Sequence, residues 1–371
     1  MSTPDRVASG LVPGAPSITR PWYRRRWFVL PVGSVVTVLL VVVLAFNLSP
    51  WPGALLIRAV FERGASHVHA EMVKHTPSGI ASITDQQYRP GDDDARLDVY
   101  FPDSMSGSDS TLPTVVWIHG GAWISGHKED AAPYYMLIAA AGYTVVALDY
   151  SVGPEHRYPR PVMQINTALS FIQAQAGAYH VDVSRMVIAG DSAGAQLTSQ
   201  IAAMTTNPAY ASDLGLTPAL SPSQLRGVVL FCGIYDMDAF RGNDPQDLAQ
   251  DQSFMTRLLL WGTDTTLWAY TGTRHGSETA LAQMSTIDDV TSAFPPTFIS
   301  GGNVDPLTRR QSRALASSLE ALGVPVTARF FPDDHAPPLN HEYQFNLDQA
   351  DGQQTLTELL AFLGMVTSPP A

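Results

Sequence analysis

The stretch Val187–Leu197, VIAGDSAGAQL, decides how the chain is read. A short apolar run ends in Gly190-Asp191-Ser192-Ala193-Gly194, and small residues with helical spacing follow. In the pattern G-x-S-x-G the serine sits on a tight strand-to-helix corner. Small neighbours let the backbone turn sharply and leave the hydroxyl exposed. A helix starting just after the serine points N–H groups at the reacting centre, which favours developing negative charge. Three fixed positions also arise by chance. Here a strand, VIAG, precedes them and a helix, AQLTSQIAAM, follows, which is the context the pattern requires.

A serine hydroxyl is a poor nucleophile until a base takes its proton. A histidine must come near, and an acid must orient it. The expected chain order is serine, acid, histidine. Downstream, SGGNVDPL (Ser300–Leu307) puts Asp305 just past an apolar strand, where open α/β sheets place their ligands. Asp305 also precedes Pro306, so a helix cap is the competing reading. The last strand is followed by FPDDHAPPLNHEYQF, which offers two bases, His335 and His341. His341 is favoured because HEYQF leads into the final helical segment; His335 is the alternative. The oxyanion of an attacked carbonyl needs N–H donors. WIHGGAW (Trp117–Trp123) supplies Gly120 and Gly121, and the N–H of Ala193 completes the hole.

Outward from this centre, short β-branched runs alternate with helical stretches. The strands expected are Arg96–Phe101, Thr114–Gly120, Tyr143–Tyr150, Arg185–Gly190, Arg226–Gly233, Pro296–Gly302 and Thr327–Pro332. Apolar strands alternating with helices predict an α/β fold, a mostly parallel sheet covered on both faces. Residues 237–290 interrupt the rhythm and read as an inserted cap. Its MTRLLLWGTDTTLWAY run suits either an acyl chain or packing onto the domain.

The chain has 371 residues and a net charge of −12, with 45% hydrophobic and 15% charged residues. That excludes nucleic acid, which is held mainly through Lys and Arg. No metal-ligand spacing is present, and neither a metal nor an organic cofactor is expected. The single cysteine, Cys232, lies in an apolar run and reads as packing. Residues 1–26 set Arg6, Arg20, Arg24, Arg25 and Arg26 against Asp5, and are expected to be a disordered cytoplasmic tail. Residues 27–48 (WFVLPVGSVVTVLLVVVLAFNL) carry no charge and are long enough for a membrane-spanning helix. Trp22, Tyr23, Trp27 and Trp51 flank the run as interfacial residues. The arginines lie on its N-terminal side, so the remainder is expected outside the cytoplasm. A cleaved signal peptide is the alternative, but no small-x-small cleavage site follows. Residues 49–87 are expected to be a membrane-proximal linker and helix, the helix lying either close to the membrane surface or over one edge of the domain, and residues 88–371 the catalytic domain. Nothing specifies an oligomeric state.

Taken together, these residues resemble the hormone-sensitive-lipase-like group of α/β-hydrolase esterases. HGGAW (His119–Trp123) resembles its HGGG-type oxyanion motif, with Ala122 in place of the third glycine. GDSAG matches its nucleophile elbow. DYSVGPEHRYPRP (Asp149–Pro161) is similar to its DYRLAPEHPFPA segment, and DPLTRRQSRALASSLEALGVPV to its acid-bearing turn and helix. Its terminal motif is His-Gly-Phe; His341-Glu342-Tyr343 keeps the aromatic residue, whereas His335-Ala336-Pro337 does not. The resemblance implies the α/β-hydrolase fold, a Ser192–His341–Asp305 triad, and hydrolysis of a small-molecule or lipid ester through an acyl-enzyme. Rival expectations are an acyltransferase using the same acyl-enzyme, a formamidase- or peptidase-type amide hydrolase, and a non-catalytic binding protein on the same fold.

Overall fold

The computed structural model describes Gly10 and residues 26–241 and 254–368. Most of the expected basic tail, and residues 242–253 of the expected cap, lie outside the described residues. The chain divides into two units after Ser49. In the first, α1 (Arg26–Leu48) covers the apolar run, and its large side chains from Val35 to Leu44 are exposed. Among the described residues no single helix is long and apolar enough to cross a membrane. Ser34–Leu48 passes that test only together with Trp51–Val73.

The second unit is built on eight strands in the order β1-β2-β4-β3-β5-β6-β7-β8. They are β1 (Ile80–Gln87), β2 (Arg96–Pro102), β3 (Leu112–Ile118), β4 (Thr144–Leu148), β5 (Val181–Asp191), β6 (Leu225–Phe231), β7 (Thr297–Ser300) and β8 (Val326–Arg329). β2 runs antiparallel to both β1 and β4, and the other pairings are parallel. Alternation along β3 shows why the inner strands read as unbroken apolar runs. Val116 and Ile118 join the core on one face, and Val115 and Trp117 the core on the other. Helices cover both faces: α4 (Arg160–Ala174) and α5 (Ala193–Thr206) on the first, α3 (Ala132–Ala140) on the second.

One difference from expectation concerns the N-terminal edge. β1 is a sheet strand, so the boundary expected at residue 88 falls one strand too late. Its sequence, IASITDQQ, is polar and half exposed, as befits an edge strand, and carries a bulge between Ile83 and Gln86. Lys128 pins that bulge. Its ammonium is buried against Asp98 (3.2 Å), Asp85 (3.0 Å) and Glu129. α2 (Trp51–Val73) docks on the domain. Arg58 donates to Ile124 O (2.6 Å) and Gly153 O (2.7 Å) and pairs with Glu155. Met72 is buried in the core of the second face.

After α6 (Pro208–Leu214), the described α-helices within 237–290 are α7 (Met237–Phe240), α8 (Phe254–Thr271) and α9 (Glu278–Met284). Tyr270 of α8 stacks on Trp123, ring centroids 5.4 Å apart.

Candidate active site

β5 ends at Asp191 and α5 starts at Ala193, so Ser192 takes the whole change of direction. Its φ of 51° and ψ of −120° lie where a non-glycine residue is strained, at a cost of order 1–3 kcal/mol. Ser192 N–H donates to Phe231 O (2.7 Å), tying the corner to β6. The two glycines of the motif are required by close approach. A Cβ on Gly194 would run into the carbonyl oxygens of Ile118 and His119, and one on Gly190 into Gly194 O and Thr198 Oγ1. The start of α5 is therefore pressed against the end of β3.

Three strand ends converge on the serine. Asp305 follows β7, and His341 lies in the loop after β8. In the neutral imidazole, Nδ1–H donates to Asp305 Oδ2 (3.0 Å), and Nε2 accepts from Ser192 Oγ–H (3.0 Å). Asp305 Oδ1 also accepts from Leu307 N–H (2.9 Å), so the aspartate caps its turn while holding the histidine. Burial alone would push the Asp305 carboxyl upwards, but His341 and the Leu307 N–H bring it below its ordinary range. Burial likewise pulls the His341 imidazole down. The Asp305 hydrogen bond, the Cys232 thiol and the Glu342 carboxylate outweigh it and raise the imidazole well above its usual value. His335 lies elsewhere: its Nε2 meets Asp351 Oδ2 (3.0 Å) and its ring packs on Phe331.

The oxyanion expectation needs one correction. Gly120 N–H already donates to Asp191 Oδ2 (2.8 Å), while Trp117 Nε1–H donates to Asp191 Oδ1 (2.7 Å). Gly120 is therefore committed to holding its loop. The N–H groups of Gly121, Ala122 and Ala193 have no acceptor among the described residues. Gly121, Ala122 and Trp123 take φ of 108°, 52° and 59° in succession, which turns the loop back over the serine. Tyr150 supports it from behind, donating its hydroxyl to His119 O (2.8 Å) and stacking on the His119 ring. Burial lowers His119 to about 4, so it is neutral at physiological pH.

Several contributors carry little sequence signal. Asp191 is the variable second position of G-x-S-x-G. Burial first, then Glu342, push its carboxyl well above the normal range, against the pull of its two N–H donors. Glu342 follows the histidine in the left-handed region (φ 57°), and its Oε1 lies 3.6 Å from His341 Nε2. Cys232 is buried at the end of β6, where its Sγ accepts from Glu342 N–H and Gln344 Nε2–H (3.4 Å each). Among the described residues, Cys232, Asp305 and His341 form the cluster close enough to hold a metal ion. Asp305 and His341 already bond each other there, and that cluster coincides with the serine relay.

Ser192 and His341 open onto a cavity of about 300 Å3. One wall is α2, through Val60, Phe61, Gly64, Ala65, Val68 and Met72; Tyr135 and Phe345 add aromatic surface. None of the described residues of α8 lines it.

The strand order, the serine elbow and the strand-end aspartate and histidine define an α/β-hydrolase. Solved structures share this fold. Esterase B from Lactobacillus rhamnosis, solved with an inhibitor, superposes with a TM-score of 0.70 at 21% identity, covering 85% of this chain and 96% of that one. The hyperthermophilic esterase of Pyrobaculum calidifontis gives 0.63 at 22% identity over 85% and 94%. A bacterial heroin esterase gives 0.62 at 20% over 84% and 91%. In sequence, the chain is 29% identical over 237 residues to Esterase LipC of Mycobacterium tuberculosis (strain ATCC 25618 / H37Rv), matching 62% of this chain. It spans about half (54%) of that relative's length. The BD-FAE family profile matches residues 97–319, more than half of the chain, and the protein belongs to that family.

Proposed function

We propose that the protein is a serine carboxylic-ester hydrolase held at a membrane by residues 27–48, with its N-terminus cytoplasmic and its catalytic domain outside. Ser192 Oγ attacks the ester carbonyl as its proton passes to His341 Nε2. Asp305 fixes the imidazole tautomer and stabilises the imidazolium. The oxyanion is received by Gly121, Ala122 and Ala193 N–H groups, each lost donor costing roughly 2.7–4 kcal/mol of barrier stabilisation. His341 returns the proton to the departing alkoxide, which leaves as the alcohol. Water, deprotonated by His341, then attacks the acyl-enzyme; the carboxylic acid departs and Ser192 regains its proton.

The observation that carries this reading is the relay of two 3.0 Å contacts through His341, opening onto a cavity beside unpaired N–H groups. Membership of the BD-FAE family and the named esterases among the relatives support it. The uncharged run at 27–48, with arginines on one side only, supports the anchor. The test is hydrolysis of p-nitrophenyl esters from acetate to palmitate by the full chain. Ser192→Ala and His341→Ala should lose nearly all turnover. A Ser192→Ala variant as active as wild type would refute the mechanism. For the anchor, the chain should resist alkaline carbonate extraction of membranes; release into the soluble fraction would refute it.

A further inference from the structure

The large hydrophobic side chains exposed in the second unit are unevenly distributed. Trp51, Leu55, Leu56, Val60 and Phe61 all stand exposed within the first half of α2. Among the described residues beyond Val73, the other exposed ones are spread along the chain: Met163, Leu258, Val304, Leu322 and Met365. Past Phe61 the outer surface of α2 turns polar, through Glu62, Arg63, Ser66, His67 and Glu71. Isolated exposed apolar residues are ordinary, whereas a concentrated patch with a polar border marks an interaction surface.

The position of the patch says what covers it. It begins at Trp51, three residues after the last residue of α1, whose own apolar side chains are exposed. At its other end, Val60 and Phe61 line the cavity that holds Ser192 and His341. One helix thus runs from the end of the apolar segment to the mouth of the site, apolar outside for its first half and polar beyond.

We propose that the first half of α2 lies in the bilayer interface and passes esters dissolved in the bilayer past Phe61 to Ser192. This rests on the ester-hydrolase and membrane-anchor readings above and adds the substrate class: a neutral, membrane-embedded acyl ester. Among the described residues the cavity lining carries Glu62, Asp130, Asp191 and Glu342 but no lysine or arginine, which disfavours an anionic headgroup.

The test uses the full chain reconstituted in phosphatidylcholine vesicles containing dioleoylglycerol, with p-nitrophenyl acetate as the water-soluble comparison. Leu55 and Leu56 are exposed and line no part of the cavity, so Leu55→Glu/Leu56→Glu leaves the site untouched. The double variant should lose at least about tenfold on the vesicle ester and stay within about twofold on the acetate. The milder Leu55→Gln/Leu56→Gln should fall between. Because residues 27–48 hold all these proteins at the vesicle, the loss reports access and not attachment. Equal rates on the vesicle ester, or equal losses on both substrates, would overturn the inference. A wild type active on the acetate but not on the vesicle ester overturns this inference alone. A wild type inactive on both overturns the ester-hydrolase reading as well.

Discussion

Replacing Glu342 with glutamine should move the acid limb of the pH–rate profile to lower pH. A general base works only when neutral, and the pH dependence of kcat/KM reports its pKa in the free enzyme. Glu342 Oε1 lies 3.6 Å from His341 Nε2, the atom that accepts the serine proton in the proposed mechanism. Negative charge there stabilises the imidazolium and so opposes the working form. At that distance two unit charges attract by about 1 kcal/mol in bulk water and between 4 and 5 kcal/mol at an effective dielectric constant of ~20. The His341 and Glu342 side chains are 34% and 29% exposed, so solvent screening holds the value near the lower bound. Since one pKa unit corresponds to about 1.4 kcal/mol, the limb should fall by about one unit. Below the limb this is a gain of up to about tenfold in the fraction of ready base. Asp305 also raises the imidazole and stays in place, so the limb should remain above the ordinary histidine value. The assay is kcat/KM for p-nitrophenyl acetate between about pH 5 and 9 for both proteins. A limb that stays put, or moves upward, would refute the electrostatic role given to Glu342.

Lys128→Met leaves the Asp98 carboxylate buried without its cation, and should cost about 3–5 kcal/mol in chemical denaturation, with Asp98→Asn in the same chain recovering part of the loss. Asp191→Asn offers one acceptor oxygen to two N–H donors, so Gly120 or Trp117 loses its partner; the expected loss is about 1–3 kcal/mol, measured the same way, with a lower kcat. His335→Ala removes a contact to Asp351 away from the serine and should leave kcat within about twofold in the ester assay, its effect falling on stability by under about 1.5 kcal/mol.

The parallel strands could be read from sequence because a strand buried on both faces must be continuously apolar, as Val115–Ile118 and Val145–Leu148 are. β1 escaped the same reading: one edge and one face meet solvent, and its polar residues resemble a loop. The serine corner was legible because the G-x-S-x-G spacing is itself the signal: Gly190 answers to Gly194 and Thr198 a turn or two on, and Gly194 to the carbonyls that end β3. Gly120 was assigned a different task from the one it performs, since the direction of the Asp191 side chain cannot be read from spacing. Glu342 occupies the variable place of a His-x-aromatic pattern, and its proximity to Nε2 follows from a left-handed backbone that the sequence does not announce. The role of α2 as a cavity wall depends on contacts between residues more than 60 positions apart, such as Arg58 with Ile124.

The most direct measurement is to treat the full chain with a fluorophosphonate and map the adduct by peptide mass spectrometry. The account predicts a phosphonyl group on Ser192, much slower labelling in His341→Ala, and wild-type labelling in His335→Ala. Undiminished labelling of Ser192→Ala, or ester hydrolysis by an enzyme whose Ser192 stays unmodified, would contradict it.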